Sequence, residues 1–327
     1  LTGDKMKANR GNNGDEEDNN KVLADIVRLR AERARLLGYR THADIVLETR
    51  MAKTPENVLN LLNNLLGRAL PVASRERDEM QKIIEAEGGS FKLEPHDWWY
   101  YAEKLRKSKY DLDENELRPY FSLDNVRDGA FAVATKLYGI TFTPINDIPL
   151  PHPDAQAFEV KEADGSHVGV LYMDFFPRES KRQGAWCGGY RDHQVVDGKE
   201  ITPVVTIVGN FTPPAGDKPA LLSMDDVMTL FHEFGHGLQG LFSENTYSST
   251  TVAWDIVELP SQIMEHWVTE PEVLAMYAKH YETGEVIPQE LVEKIRNSSY
   301  FNTGFDNVEI MAASLLDMAY YSIEEPA

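Results

Sequence analysis

Two histidines and a glutamate stand close together in the segment His232-Glu233-Phe234-Gly235-His236. On an α-helix, residues four apart lie on one face about one turn apart, so two imidazoles at this spacing can bind a single ion. Zn²⁺ suits neutral imidazole ligands, and it lowers the pKa of a bound water that a neighbouring carboxylate can deprotonate. Glu233 fits the role of that general base, because it is rotated by about 100° from His232 on a helix. The alternative is a chance occurrence of this pattern on a surface helix.

The residues around this motif favour a helix and indicate where a third ligand would be found. Ser223 followed by Asp225 and Asp226 is typical of a helix N-terminus, and apolar residues surround the motif. A catalytic zinc site needs a third protein ligand and keeps one position open for water. Glu258, on a further predicted helix, is the candidate. If Glu258 is considered without the motif, the simpler interpretation is that it is a solvent-exposed carboxylate on a helix.

The periodicity of the chain predicts the elements that must position these side chains. Residues 22–138 have mainly helical patterns, and the sequence then changes in character. Strand-like segments follow at 140–145, 157–161, 168–175 and 203–210. Helical patterns return at 224–240, 255–269, 271–282, 288–298 and 302–323. We therefore expect a mostly α-helical fold with a small β-sheet inserted before the motif helix, and a hairpin turn at Asp164-Gly165.

Composition argues against several classes of partner. The chain has 33 Lys+Arg and 53 Asp+Glu, which gives a net charge of −20. Binding to nucleic acid requires a basic face, so no nucleic-acid partner is expected, and docking on anionic membranes is disfavoured. The longest apolar runs are far shorter than the roughly 18 residues of a membrane-spanning helix, so no membrane insertion is expected. A single cysteine, Cys187, excludes an internal disulfide framework.

Longer segments of the chain resemble the thimet-oligopeptidase family of zinc metallopeptidases, and within it the bacterial peptidyl-dipeptidases, or dipeptidyl carboxypeptidases. The resemblance covers essentially the whole chain. The segments that carry it are Ala34 to Asn60, DFFPRESKRQGAW (Asp174 to Trp186), Pro219 to Phe242, VELPSQIMEHW (Val257 to Trp267) and LLDMAYYSIEEP (Leu315 to Pro326).

This resemblance implies His232, His236 and Glu258 as ligands of one zinc ion per chain, with Glu233 as the general base. It also implies a zincin-type catalytic region in a largely helical peptidase whose two lobes face each other across a channel. That channel would admit short unfolded peptides, and the implied activity is release of C-terminal dipeptides. An endo-acting oligopeptidase of the same family remains an alternative, as does a zinc-binding fragment without significant turnover.

Both ends of the chain look cut, because it begins at Leu1 and ends shortly after a helical pattern. Members of the family continue past the equivalent of Pro326 into a segment whose His and Tyr side chains help to bind substrate. We expect residues 1–20 to be mobile and residues 21–327 to form part of the catalytic domain. The isolated chain would then hydrolyse peptides slowly or not at all. A cytoplasmic location is expected, with the periplasm as the alternative, and the oligomeric state stays open.

Other polar residues near the motif leave alternatives open. Asp255 could accept a hydrogen bond from a ligand imidazole, or it could cap a helix N-terminus. Arg178, Lys181 and Arg182 could meet a peptide carboxylate, or they could form a solvated charged turn. Cys187 has no evident base partner and is expected to pack rather than act as a nucleophile. The substrate-binding residues are not predicted.

Overall fold

The structure is a computed structural model that describes residues 19–248 and 252–325. Helices dominate these residues and a small sheet lies in the middle of the chain, which confirms the mostly α-helical fold with an inserted sheet. The segment expected to be mobile, 1–20, lies outside the described residues except for Asn19 and Asn20, and Asn20 begins the first helix. No described helix is both long enough and apolar enough to cross a membrane.

The helices are α1 (Asn20–Leu36), α2 (His42–Leu47), α3 (Pro55–Ala86), α4 (Trp98–Tyr110), α5 (Glu114–Leu117), α6 (Leu123–Tyr138), α7 (Met224–Leu241), α8 (Leu259–Val268), α9 (Pro271–Tyr277), α10 (Gln289–Ser298) and α11 (Thr303–Tyr321). The strands are β1 (Thr141–Pro144), β2 (Gln156–Lys161), β3 (His167–Asp174), β4 (Trp186–Arg191), β5 (Gln194–Val196), β6 (Lys199–Ile201) and β7 (Val204–Val208). The described residues of Leu1–Leu105 and Tyr300–Ala327 form one compact unit, and Arg106–Ser299 form another.

The first unit is built on the long helices α3 and α11, which pack along each other. The hydroxyl of Thr54 caps α3 by accepting a hydrogen bond from the backbone N–H of Asn57. At the start of α11, the backbone N–H groups of Gly304 and Phe305 donate to the Glu76 carboxylate at 3.0 and 2.9 Å. A negative charge at a helix N-terminus is stabilising, so this contact fixes α11 against α3.

The second unit contains a five-stranded sheet in the order β1-β2-β3-β7-β4 and a separate pair of strands, β5 and β6. β3 and β7 are parallel, with Val170 opposite Val204, and the other neighbours are antiparallel. The β2–β3 hairpin turns at Asp164 and Gly165, as predicted. Gly165 has a φ of +88°, which glycine adopts readily, and the Asp164 carboxylate accepts a hydrogen bond from the Ser166 N–H. Among the described strands, β4 pairs only with β7 and therefore forms one edge of the sheet.

Two glycines of helix α7 allow this helix to pack closely against the sheet. A Cβ added to Gly237 would lie 3.0 Å from the Ile207 side chain, and one added to Gly240 would lie 3.1 Å from the Val205 side chain. The neighbouring Phe234 is completely buried in the core of this unit. Close contact with β7 therefore fixes the position of the helix that carries the His-Glu motif.

Candidate metal centre

The motif helix α7 begins with a reciprocal cap. The Ser223 hydroxyl accepts a hydrogen bond from the Asp226 N–H at 3.1 Å, and the Asp226 carboxylate accepts one from the Ser223 N–H at 2.9 Å. The helix continues without interruption through the motif, as the sequence predicts. His232 and His236 consequently lie on one face, with their ring centroids 4.9 Å apart.

Glu258 lies beside these two imidazoles. Its Oε2 atom is 3.3 Å from Nε2 of His232 and 3.0 Å from Nε2 of His236. One ligand-type atom from each of the three side chains lies within 4.8 Å of the others, a spacing that could hold a metal ion. Burial lowers the pKa of His236, which favours the neutral imidazole that metals require. The structure thus brings the three residues together, and their role as zinc ligands stays a prediction.

A glycine inside the motif allows α8 to approach α7 closely. A Cβ added to Gly235 would lie 2.5 Å from the carbonyl oxygen of Pro260 and 2.6 Å from Cα of Ser261. These atoms belong to the backbone of the first turn of α8, so they cannot move aside as a flexible side chain could. Backbone contact at this point places Glu258, the N-cap residue of α8, next to the histidines.

Ser261 contacts the Glu258 carboxylate from the first turn of α8. Its Oγ atom is 2.9 Å from Oε2 and 2.8 Å from the backbone oxygen of Glu258. A hydroxyl has a single hydrogen, so it donates to one of these oxygens at a time. The Glu258 side chain is 52% exposed whereas Ser261 is fully buried, so the serine provides a buried contact for a half-exposed carboxylate.

The predictions from sequence did not assign a role to Glu265, which contacts the other side of His232. Its Oε1 atom lies 2.5 Å from Nδ1 of that imidazole. A sequence signal exists, because Glu265 is seven residues after Glu258 and the two therefore lie on one helical face, two turns apart. Asp255 lies in a 3₁₀ turn whose N-cap is Ala253, so the alternative of Asp255 as an N-cap is wrong. A hydrogen bond from Asp255 to a ligand imidazole stays a prediction.

Glu233 is buried, with 8% of its surface exposed. Burial raises the pKa of its carboxyl, and the nearby negative charge of Glu258 raises this pKa further. His232 and a hydrogen bond from the backbone amide of Cys187 lower the pKa, but the net shift is upward. Its Oε2 atom is buried and has no hydrogen-bond partner within the described part of the chain. Buried carboxylate oxygens are nearly always paired, so an orphan next to three ligand-type groups fits a site completed by a metal ion and water. The residues present therefore fit a zinc ion.

The sequence of the chain matches a known protein family. The sequence profile described as Peptidase family M3 matches residues 5–327. The chain belongs to peptidase family M3. It is 42% identical over 320 residues to dipeptidyl carboxypeptidase of Escherichia coli (strain K12), an alignment that covers 97% of this chain and 47% of that protein.

Alignments with two other relatives cover a similar share of the chain. Oligopeptidase A of Escherichia coli (strain K12) is 37% identical over 326 residues, covering 98% of this chain and 48% of that protein. Organellar oligopeptidase A of Arabidopsis thaliana is 35% identical over 325 residues, covering 96% of this chain and 41% of that protein. The chain thus spans about half the length of the curated relatives it matches.

Within the charged turn, Lys181 has a different role from either predicted alternative. The Lys181 side chain is only 3% exposed, and its ammonium donates to both the backbone oxygen and the carboxylate of Asp174 and to the backbone oxygen of Phe176. Arg178 pairs with the same carboxylate at 2.8 Å. Lys181 is therefore neither solvated nor open to a peptide carboxylate, because its three donors are used inside the protein. The Arg182 guanidinium lies 4.9 Å from the centre of the Trp186 ring.

Cys187 lies on the edge strand β4, next to Glu233. Burial, with a further contribution from the charge of Glu233, raises the pKa of its thiol to about 12. A thiol in this state is almost entirely protonated near neutral pH and is a poor nucleophile. The geometry agrees with a packing role for Cys187.

Proposed function

We propose that this chain contains the metal-binding and proton-transferring part of a zinc-dependent oligopeptidase that releases C-terminal dipeptides. The observation that carries the proposal is the cluster of His232, His236 and Glu258 within 4.8 Å, beside a buried Glu233 oxygen that has no hydrogen-bond partner among the described residues. Two imidazoles, a carboxylate ligand and a neighbouring carboxylate base are the donor set expected of a hydrolytic rather than a structural zinc site.

His232, His236 and Glu258 would hold the zinc ion. When bound, zinc supplies Lewis-acid activation of water and of the peptide carbonyl. Glu233 would accept the proton of the attacking water and pass it to the amine nitrogen as the peptide bond breaks. The raised pKa of Glu233 suits both proton transfers. A carboxylate whose pKa is higher than usual is a better proton acceptor, and it can hold the proton until the amine takes it.

The edge strand β4 is the surface we assign to the peptide. Its side opposite β7 is free of other described strands, so an extended peptide could add to it through backbone hydrogen bonds. Gly188 and Gly189 lack side chains that would keep a peptide at a distance. Cys187, on the same strand, is close enough to Glu233 for each to influence the pKa of the other. A peptide along β4 would therefore pass next to the proposed base.

Release of dipeptides is favoured over internal cleavage by the relative at 42% identity, which is named a dipeptidyl carboxypeptidase. An endo-acting oligopeptidase is the second candidate, supported by the relatives named oligopeptidase A. The third candidate is a zinc-binding chain without significant turnover. It is kept because the chain spans about half the length of these relatives.

The test combines metal content with product analysis. The purified protein should hold about one zinc per chain, and His236→Ala should lose most of it. A nonapeptide with a free C-terminus should yield dipeptides, and the same peptide with a C-terminal amide should resist cleavage. Cleavage of both peptides would support the endopeptidase, and zinc binding without cleavage would support the third candidate. Full retention of zinc by His236→Ala would refute the ligand assignment.

A further inference from the structure

The two nitrogens of His232 face two different carboxylates. Nε2 lies 3.3 Å from the Glu258 oxygen in the ligand cluster, and Nδ1 lies 2.5 Å from Oε1 of Glu265. A neutral imidazole carries its proton on one nitrogen and a lone pair on the other. Only the tautomer protonated at Nδ1 leaves the Nε2 lone pair directed into the cluster. The carboxylate at Nδ1 is therefore in the position that selects this tautomer.

Glu265 has no other ionic role in the described part of the chain. Its side chain is 31% exposed, and no described Lys or Arg lies within ion-pair distance of it. The residues one turn before and after it, Ser261 in α8 and Thr269 at the C-cap of α8, carry no charge that would pair with it along the helix. Its contact with His232 thus accounts for the orientation of this carboxylate.

We propose that Glu265 is a positioning residue that fixes the tautomer and ring orientation of His232 for metal binding. This inference rests on the proposed metal site. A carboxylate that accepts the Nδ1–H also makes Nε2 a stronger ligand, because it offsets the positive charge that the ring gains on binding a cation. Helix α8 then supplies both a ligand, Glu258 at its N-cap, and the group that orients another ligand two turns later.

The experiment measures zinc affinity by competition with a chromophoric chelator, for the wild type and for Glu265→Ala and Glu265→Gln. We expect the alanine variant to lose about 10- to 100-fold in affinity. The glutamine variant should lose less, because its amide oxygen can still accept the Nδ1–H. The matched control is Glu272→Ala, which removes a carboxylate that is 85% exposed on the next helix and should leave zinc affinity unchanged.

Two further measurements separate positioning from a general structural effect. The visible spectrum of bound Co²⁺ should change in Glu265→Ala, because it reports the ligand geometry. Loss of Glu265 should also have little additional effect in a His232→Ala background if it acts through that imidazole. Circular dichroism of the metal-free variants establishes that they fold.

The outcomes distinguish this inference from the proposed function. If the wild type binds no zinc, the proposed function fails. If the wild type binds zinc and a folded Glu265→Ala variant keeps its affinity within about twofold, with an unchanged Co²⁺ spectrum, the positioning role is refuted. An equal loss of affinity in the presence and absence of His232 would also refute it.

Discussion

At the scale of single residues, Glu233 and Glu258 have the same side chain but different expected roles, because their surroundings differ. Glu233→Gln should leave zinc affinity largely intact, because Glu233 is not one of the three clustered groups. In a form of the protein that hydrolyses peptides, it should lower the hydrolysis rate by about 10²- to 10⁴-fold, since an amide cannot accept the proton. Glu258→Gln should weaken zinc binding, because a neutral amide is a poorer ligand than a carboxylate. Zinc titration and hydrolysis rates of both variants test this, and equal zinc affinities would contradict the two roles.

The buried ion cluster around Asp174 predicts a pH-dependent contribution to stability. Burial by itself raises the pKa of Asp174, but hydrogen bonds from Arg178 and Lys181 outweigh it, and the net pKa lies below the usual value of 3.8. A carboxyl whose pKa is lower in the folded state stabilises the fold above the unfolded-state pKa, and this contribution is lost as pH falls through the folded-state pKa. The window of loss therefore lies below pH 3.8.

Asp174→Asn should accordingly destabilise the protein by about 3 kcal/mol near neutral pH, because it leaves Lys181 buried without its counter-charge. The difference in unfolding free energy between variant and wild type should shrink as pH falls below 3.8. Urea denaturation at several pH values measures it, with the exposed Asp217→Asn as the control. A difference that stays constant down to acid pH would contradict the ionic origin.

At the scale of elements, the contact between α7 and α8 depends on Gly235. Alanine is favoured over glycine in a helix by about 1 kcal/mol, so propensity alone would make Gly235→Ala stabilising. The added Cβ would instead lie 2.5 Å from a backbone oxygen, and such overpacking typically costs about 1–3 kcal/mol. We expect net destabilisation together with weaker zinc binding, because α8 carries Glu258.

The control is Gly67→Ala in α3, where the added Cβ meets nothing within 4 Å. That variant should gain up to about 1 kcal/mol and leave zinc affinity unchanged. Thermal denaturation and zinc titration of both variants provide the comparison. If Gly235→Ala were as stable as Gly67→Ala, the helix contact would be less tight than the structure indicates.

Sequence predicted the elements whose signals are local. The motif helix was expected at 224–240 and extends over Met224–Leu241, because its cap and its apolar periodicity lie within the helix itself. Strand β4 was not predicted as a strand, since Trp186-Cys187-Gly188-Gly189 lacks β-branched residues and becomes a strand by pairing with β7. The contact of Glu265 with His232 was also not predicted, because it depends on the tertiary packing of α8 against α7.

At the scale of the whole molecule, the net charge of −20 predicts that salt stabilises the fold. Like charges repel one another in the compact state, and screening reduces that repulsion. Raising the ionic strength from about 0.01 to about 0.15 M shortens the Debye length from about 30 to about 8 Å, so the melting temperature should rise. Calorimetry in NaCl tests this, with a zwitterionic osmolyte of equal osmolality as the control. A melting temperature that falls with salt would show that surface ion pairs outweigh the repulsion.

The parallel pairing of β3 with β7 has a consequence for biosynthesis. The β2–β3 hairpin is complete once residue 174 has been made, but one side of β3 has no neighbour until β7 follows at Val204–Val208. At about 5–20 residues per second, ribosomes take roughly 2–7 seconds to synthesise the intervening chain. During that interval the edge of β3 that later pairs with β7 is open to pairing with a strand of another chain. The nascent chain is therefore open to strand-to-strand aggregation, and to binding by a chaperone, between the synthesis of β3 and that of β7.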